Sequence, residues 1–411
     1  FFSVVLCFWC SLAASVACMP VWLGLLTWLL IAGATCGGTS HPARKKARSM
    51  QRLRRHHHHS AAPSYTDSLE PPPWPADPSD LGHPAESDRM VHGLCYTNGT
   101  WLQEPTSLPV HIATNYIRHC SDPQLFDAIR NYSWGSQCTL RPWDRRAFCQ
   151  LLSGGLVLYG DSLMADWAVG LWVLLGPEQG HLHPLHRNGN ITNIADETHL
   201  PICDGTTSIF HLHDTVLPYG VNSQTRNQQL APLDLYLSKH PDATVLIGSG
   251  PHYTDGRHGG ISEVPRAWRG LSERYAQHRL FYITYPPGHP HCETSSGPLG
   301  HAPPLDPTTY VGWYGWWDLE VLRDWMLGNF TTGRFRPGHF LLDTVPILIL
   351  RPDIHIYSHL RKLNFQHGGD CLHFCTAPGV WDTISLVLYN LLAQLSGQRS
   401  GIKGTRKGRF K

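Results

Sequence analysis

Hydrophobic and polar positions divide the chain into segments of different character. From Phe1 to Cys36 there is no charged residue, and Leu, Val, Trp, Phe and Ala dominate. One bilayer span takes about 20 apolar residues and two spans with a turn take over 40. This stretch falls between the two, with Pro20 in its middle, and reads as one membrane anchor with an apolar overhang. A cleaved signal peptide is the competing reading, but its apolar region usually runs only about 7–15 residues. Residues 37–90 then hold a basic run from Arg44 to Arg55, the tract His56 to His59, and a Pro/Ser/Asp-rich stretch around Pro71, Pro72, Pro73 and Pro75. Such a composition buries too little apolar surface to offset its ordering entropy, so it is expected to be a disordered stem, and the histidines a solvated tract.

Over residues 91–395 the pattern changes to short apolar runs bounded by turn residues. Gly155 to Tyr159 (GLVLY) suits a buried strand, and Met164 to Leu175 can continue as a helix. Thr207 to His213 alternates with period two, while Asp242 to Gly248 and Leu280 to Tyr285 are further apolar runs. Thr344 to Leu350 reads as another strand, restricted by Pro346 to an edge or a strand start. A last helix is expected to begin near Asp382, which can cap it, and to run through Leu386 and Tyr389. Apolar strands interleaved with helices predict an α/β fold whose central, mostly parallel sheet is covered on both faces. Residues 396–411, with Arg399, Lys403, Arg406, Lys407, Arg409 and Lys411 among Gly and Ser, read as a basic flexible tail. There is no internal repeat.

Charge and cysteine usage narrow the setting. The net charge of +2 over 411 residues is too small to favour nucleic acid as a partner, and the basic residues cluster at the two ends. Eight cysteines follow residue 90: Cys95, Cys120, Cys138, Cys149, Cys203, Cys292, Cys371 and Cys375. An even number without paired zinc spacing reads as a disulfide set in an oxidising lumen, with Cys292 expected to join Cys371 or Cys375. Sequons begin at Asn98, Asn131, Asn190 and Asn329 and point the same way. The basic run after the apolar stretch pulls the opposite way under the positive-inside rule.

Two segments carry chemistry. Gly160-Asp161-Ser162 follows the apolar strand and precedes a helix, which places a hydroxyl where open α/β sheets put their sites. The free N–H groups of that helix start could stabilise an oxyanion, but a serine hydroxyl needs a base to become a nucleophile. The bland alternative is that Ser162 is an ordinary helix N-cap. The second segment is Asp370-Cys371-Leu372-His373-Phe374-Cys375, where Asp and His three apart can share one turn. The carboxylate then orients the imidazole while the other ring nitrogen faces the serine. A metal site from Asp370, His373 and the two cysteines is the weaker alternative, because the Cys-x3-Cys lacks a second ligand pair at zinc spacing.

The order of these motifs resembles the SGNH hydrolase superfamily, and more closely the plant trichome-birefringence-like or PC-esterase family. Cys95-Tyr-Thr-Asn-Gly-Thr-Trp101 resembles that family's opening Cys and Gly-x-Trp, and Tyr285-Pro-Pro-Gly-His289 with Cys292 its Ser-Pro-x-His segment and later Cys. Leu341-Leu-Asp343, Arg351-Pro-Asp353-Ile-His355-Ile-Tyr357 and the Asp370 to Gly379 stretch are similar to its C-terminal blocks, so the likeness runs in order over about residues 95–392. The resemblance implies an SGNH-like three-layer sandwich and a Golgi-membrane, lumen-facing O-acetyltransferase that uses a Ser162–His373–Asp370 triad on a polysaccharide acceptor. Gly160, Asp161, Gly250 and His252 are the substrate- or oxyanion-lining candidates, and Asp353 and His355 are expected to buttress a loop. No cofactor or metal is implied beyond an acyl donor such as an acetylated carrier or an acetyl-CoA-derived group. The departures are Met164-Ala-Asp-Trp167 in place of the family's Ser-Arg-Asn-Gln, and Gly248-Ser-Gly-Pro-His252-Tyr253 in place of Thr-Gly-His-Trp. They put the acceptor contacts in question. With water as acceptor the same triad makes an esterase, and a glycan-binding relative without catalysis is the third class.

Overall fold

The computed structural model describes residues 94–108, 130–176, 199–214, 217, 223–253, 260–261, 263–285, 288–289, 292–303, 316–332, 335–355, 371–375 and 379–405. The anchor and stem readings lie outside the described residues, as do Asp370 and Asn190. Among the described residues no helix is long and apolar enough to cross a membrane.

The fold is mixed α/β around a mostly parallel sheet. A small antiparallel pair, β1 (Gly99–Leu102) and β2 (Ser133–Ser136), stands apart from a six-stranded sheet. That sheet contains β3 (Leu156–Gly160), β4 (His199–Ile202), β5 (Thr207–His213), β6 (Thr244–Gly248), β7 (Arg279–Ile283) and β8 (His339–Leu342). Its order is β4-β5-β3-β6-β7-β8, parallel throughout except for β4, which runs antiparallel to β5 at the edge. The chain leaves β3 toward β5 on one side and then crosses to β6 on the other. The direction of winding therefore reverses at β3, and the carboxyl ends of β3 and β6 are where open α/β sheets place their sites.

Each face of the sheet has its own core. All of β3 is buried, which is why it reads as an unbroken apolar run. Leu156 and Leu158 point to one face, where α1 (Arg145–Leu151), α2 (Ser162–Leu175) and α7 (Val380–Thr405) cover them. Val157 and Tyr159 point to the other, into a cluster fed by α3 (Ser223–Lys239), α4 (Glu263–Arg274) and α5 (Trp316–Thr331). Helix α2 is apolar nearly all round because it is sandwiched between the sheet and α7. Trp167 stacks on Trp381 and donates its Nε1–H to Ser385 at 3.0 Å, while the Trp381 Nε1–H has no acceptor among the described residues.

Two sequence expectations are corrected. Residues 344–350 form not a strand but the short helix α6 (Val345–Leu348), and the edge strand is β8, just before it. Pro346 explains the change, since its fixed φ and missing N–H suit a first helical turn better than a ladder. At the other end α7 runs on to Thr405, into the segment read as a flexible tail. No proline interrupts it there, and the scattered glycines weaken a helix without breaking it.

The described disulfides are Cys95–Cys138, Cys149–Cys203 and Cys292–Cys371, and Cys375 is also disulfide-bonded. The first closes the β1–β2 pair and the second ties α1 to the turn before β5. The third realises one of the two pairings expected for Cys292. Burial separates the sequons. Asn98 and Asn131 are exposed, whereas Asn329 is 6% exposed in α5 with its Nδ2 donating to Trp325 O. Expressed through a secretory pathway, the chain should carry glycan at Asn98 or Asn131 and none at Asn329. Glycopeptide mass spectrometry checks this, and an occupied Asn329 would contradict the packing of α5.

Candidate active site

The Gly-Asp-Ser turn lies at the carboxyl end of β3, beside β6. Gly160 pairs with Gly248 across the two strands, and a Cβ at Gly160 would run into the Gly248 carbonyl oxygen. Only glycine lets the strands stay this close as the chain turns. Asp161, in extended conformation, caps α2 and accepts from the Leu163 N–H at 3.1 Å. The cap role therefore belongs to Asp161, and Ser162 becomes the first residue of the helix. Its hydroxyl is released from capping. The Ser162 N–H makes no hydrogen bond among the described residues and remains at the positive end of the helix.

The partner arrives from far along the chain. Ser162 Oγ and His373 Nε2 lie 2.7 Å apart although 211 positions separate them. The His373 loop is fixed on every side. Cys371 is bonded to Cys292, and its carbonyl accepts the His289 N–H at 3.0 Å. The Cys375 N–H donates to Ile354 O at 2.9 Å, and Phe374 forms an isolated bridge with His355. The His373 carbonyl accepts from His355 Nδ1 at 2.9 Å. Because Cys371 and Cys375 are both in disulfides, the metal alternative loses its two thiolates. Asp370, the expected third member, lies outside the described residues.

The lining candidates fall into place unevenly. Asp161 is fully buried, and burial raises its carboxyl from 3.8 to about 7 against the opposing pull of the Leu163 N–H, the His373 ring and the Gly250 and Met164 N–H groups. Gly250 is thus beside the Asp161 carboxyl, two residues past β6. His252 is half-buried in the 3-10 turn Pro251–Tyr253 that follows. Between pH 4 and 7 the folded chain holds a proton on Asp161 that the unfolded chain has released. This group therefore costs stability as pH rises through that window. Asp382, pushed to about 7 by burial, acts the same way. Asp161→Asn keeps the cap and removes one titration. Its stability relative to wild type should rise between pH 4 and pH 8 by on the order of 2–4 kcal/mol. Urea unfolding across that range checks it, and parallel pH slopes for the two proteins would refute the burial effect.

The sequence reading assigns no site role to His289, which lies beneath the His373 loop. Its ring contacts His355, 66 positions away, so no local spacing signals the pair. Asp353 is held by Arg351 through two contacts of 2.9 and 3.0 Å. Compared with known proteins, the chain matches no family model and no curated protein.

Proposed function

We propose that residues 91–395 form an SGNH-like, three-layer serine acyltransferase that moves an acetyl group onto a polysaccharide hydroxyl at the lumenal face of the Golgi membrane. The observation that carries this reading is the 2.7 Å contact between Ser162 Oγ and His373 Nε2 at a strand end where the winding reverses. His373 takes the serine proton as Oγ attacks the acyl carbonyl of the donor, and returns it to the departing group. The Ser162 N–H and the start of α2 face the developing oxyanion. In the second half the acceptor hydroxyl gives its proton to His373 and attacks the acyl-enzyme. The ester product forms, and Ser162 regains its proton. Asp370 orients the imidazole in this scheme, on the strength of its spacing from His373 and the family resemblance. The anchor in residues 1–36 and the choice of acetyl and polysaccharide rest on the sequence pattern and that resemblance.

The test incubates the purified chain with an acetylated donor and a panel of glycans, and follows both products and protein mass. Acetylated glycan together with a Ser162-dependent acyl-enzyme supports the reading. Hydrolysis alone reassigns the same site to an esterase. Failure of every activated ester to acylate Ser162 would overturn both.

A further inference from the structure

Beneath the His373 loop two buried imidazoles form a continuous chain of contacts. His289 and His355 are each 3% exposed. His289 Nε2 lies 2.8 Å from the Ile349 carbonyl oxygen, His289 Nδ1 lies 2.6 Å from His355 Nε2, and His355 Nδ1 lies 2.9 Å from the His373 carbonyl oxygen. Both ends of the chain are carbonyls, which only accept, so each outer nitrogen must carry a hydrogen. The central contact joins two nitrogens and needs a third hydrogen between them. Two neutral imidazoles carry one N–H each and supply only two. Any neutral arrangement would therefore leave two lone pairs facing one another at 2.6–2.9 Å.

We infer that His289 and His355 together hold one extra proton, and that His355, as an imidazolium, is the positioning residue that fixes the catalytic loop through the His373 carbonyl. One neighbour favours that charge against the cost of burial. The His355 ring stacks on Phe374 with centroids 4.2 Å apart, which offers a cation the negative face of an aromatic ring. The His289 ring meets Phe374 only edge-on at 6.3 Å, so the stacking places the charge on His355, and burial pushes His289 down to about 4 against the carbonyl of Ile349 and the charge of Asp353. Among the described residues, the charged groups facing the pair are Asp353 and its partner Arg351 from the segment after α6, and His373 from its own loop. Arg351 is already matched by the Asp353 carboxylate, so the two add little net charge beside the pair.

The extra proton gives the pair a titrating function. Once it is lost, one of the three contacts must open. The contact to His373 is the half-buried one, while the other two are fully buried, so water can replace His355 only there. Deprotonation thus releases the peptide that holds the base, and turnover falls on the alkaline side. On the acid side turnover falls because His373 itself becomes protonated.

The kinetic part of this inference rests on the acyl-transfer reading, but the proton count does not, and the experiment separates them. The full chain, labelled with 15N in its histidine rings, is examined by NMR at pH 7. The pair is recognised by scalar coupling across the His289–His355 hydrogen bond. Three protonated nitrogens out of four, with a strongly deshielded central proton, are expected. Two neutral rings would overturn the inference whether or not the protein is an enzyme. In the second arm His355→Gln supplies a neutral donor to the His373 carbonyl. Its kcat should fall about tenfold, the difference between a charge-assisted and a neutral hydrogen bond, with KM unchanged and the alkaline limb gone. An alkaline limb identical to wild type would defeat the positioning role. Absence of Ser162-dependent turnover in wild type would instead sink the acyl-transfer reading, leaving the NMR count to decide the pair. The count is made on the native chain, so it does not depend on the variant folding.

Discussion

Ser162→Ala should lower kcat by about a millionfold while leaving the unfolding midpoint unchanged within error. The substitution removes one half-buried oxygen and its 2.7 Å contact with His373 Nε2. The backbone N–H that begins α2 and the Asp161 cap both remain, so the helix start is unaltered. His373→Ala should cost about as much, and the double variant little more, because a nucleophile without its base and a base without its nucleophile fail at the same step. Single-turnover kinetics with a chromogenic ester resolves the acylation step directly. Retention of more than roughly a hundredth of wild-type turnover by Ser162→Ala would remove this serine from the chemistry, since the residual rate of such sites is far lower.

Arg351→Met should produce the largest loss of stability of any single change near the site, about 3–5 kcal/mol. Arg351 is 0% exposed, and its Nε and Nη2 hold the two oxygens of Asp353, which is buried as well. Its guanidinium carbon lies 4.5 Å from the Trp101 ring centroid, and Nη1, which has no hydrogen-bond partner among the described residues, belongs to that same stacked group. Trp101 in turn donates its Nε1–H to Ile347 O at 3.0 Å, so this cluster attaches the β1–β2 pair to the α6 segment. Truncating the arginine leaves a buried carboxylate without a counter-charge, which is the expensive half of a broken pair. Replacing both residues (Arg351→Met with Asp353→Leu) should recover most of the loss, because two well-packed apolar groups incur no desolvation cost. Guanidinium unfolding of the two variants checks the contrast. Equal destabilisation in both would show that packing on Trp101 and not the ion pair dominates.

Much of the scaffold was legible along the chain for a local reason. β3, β6 and β7 are mostly apolar and bounded by turn residues because they are buried within the sheet, and β5 alternates with period two, so each run announces itself. The Gly160-Asp161-Ser162 turn was readable because its constraints are local as well: a glycine at a close strand approach and an acidic cap. The stretch 344–350 misled because its apolar residues fit a strand or a short buried helix equally well, and only the neighbouring β8 decided between them. The small β4 and the β1–β2 pair carried too few residues for any period to show.

What the sequence alone determined, then, is a partial inventory: the strands β3, β5, β6 and β7, the turn that presents a serine, and the cysteines that lie in a region free of zinc spacing. Tertiary structure decided the pairings. Ser162 meets His373, Cys292 meets Cys371 and His289 meets His355 across separations of 211, 79 and 66 positions. Strand order set where the site lies, and packing set which side chains lost their water. The physical reason is that hydrophobic patterning reports only whether a residue is buried. Hydrogen bonds, disulfides and buried charges depend on what it is buried against, and that is fixed only when the sheet closes and distant loops meet over its carboxyl edge.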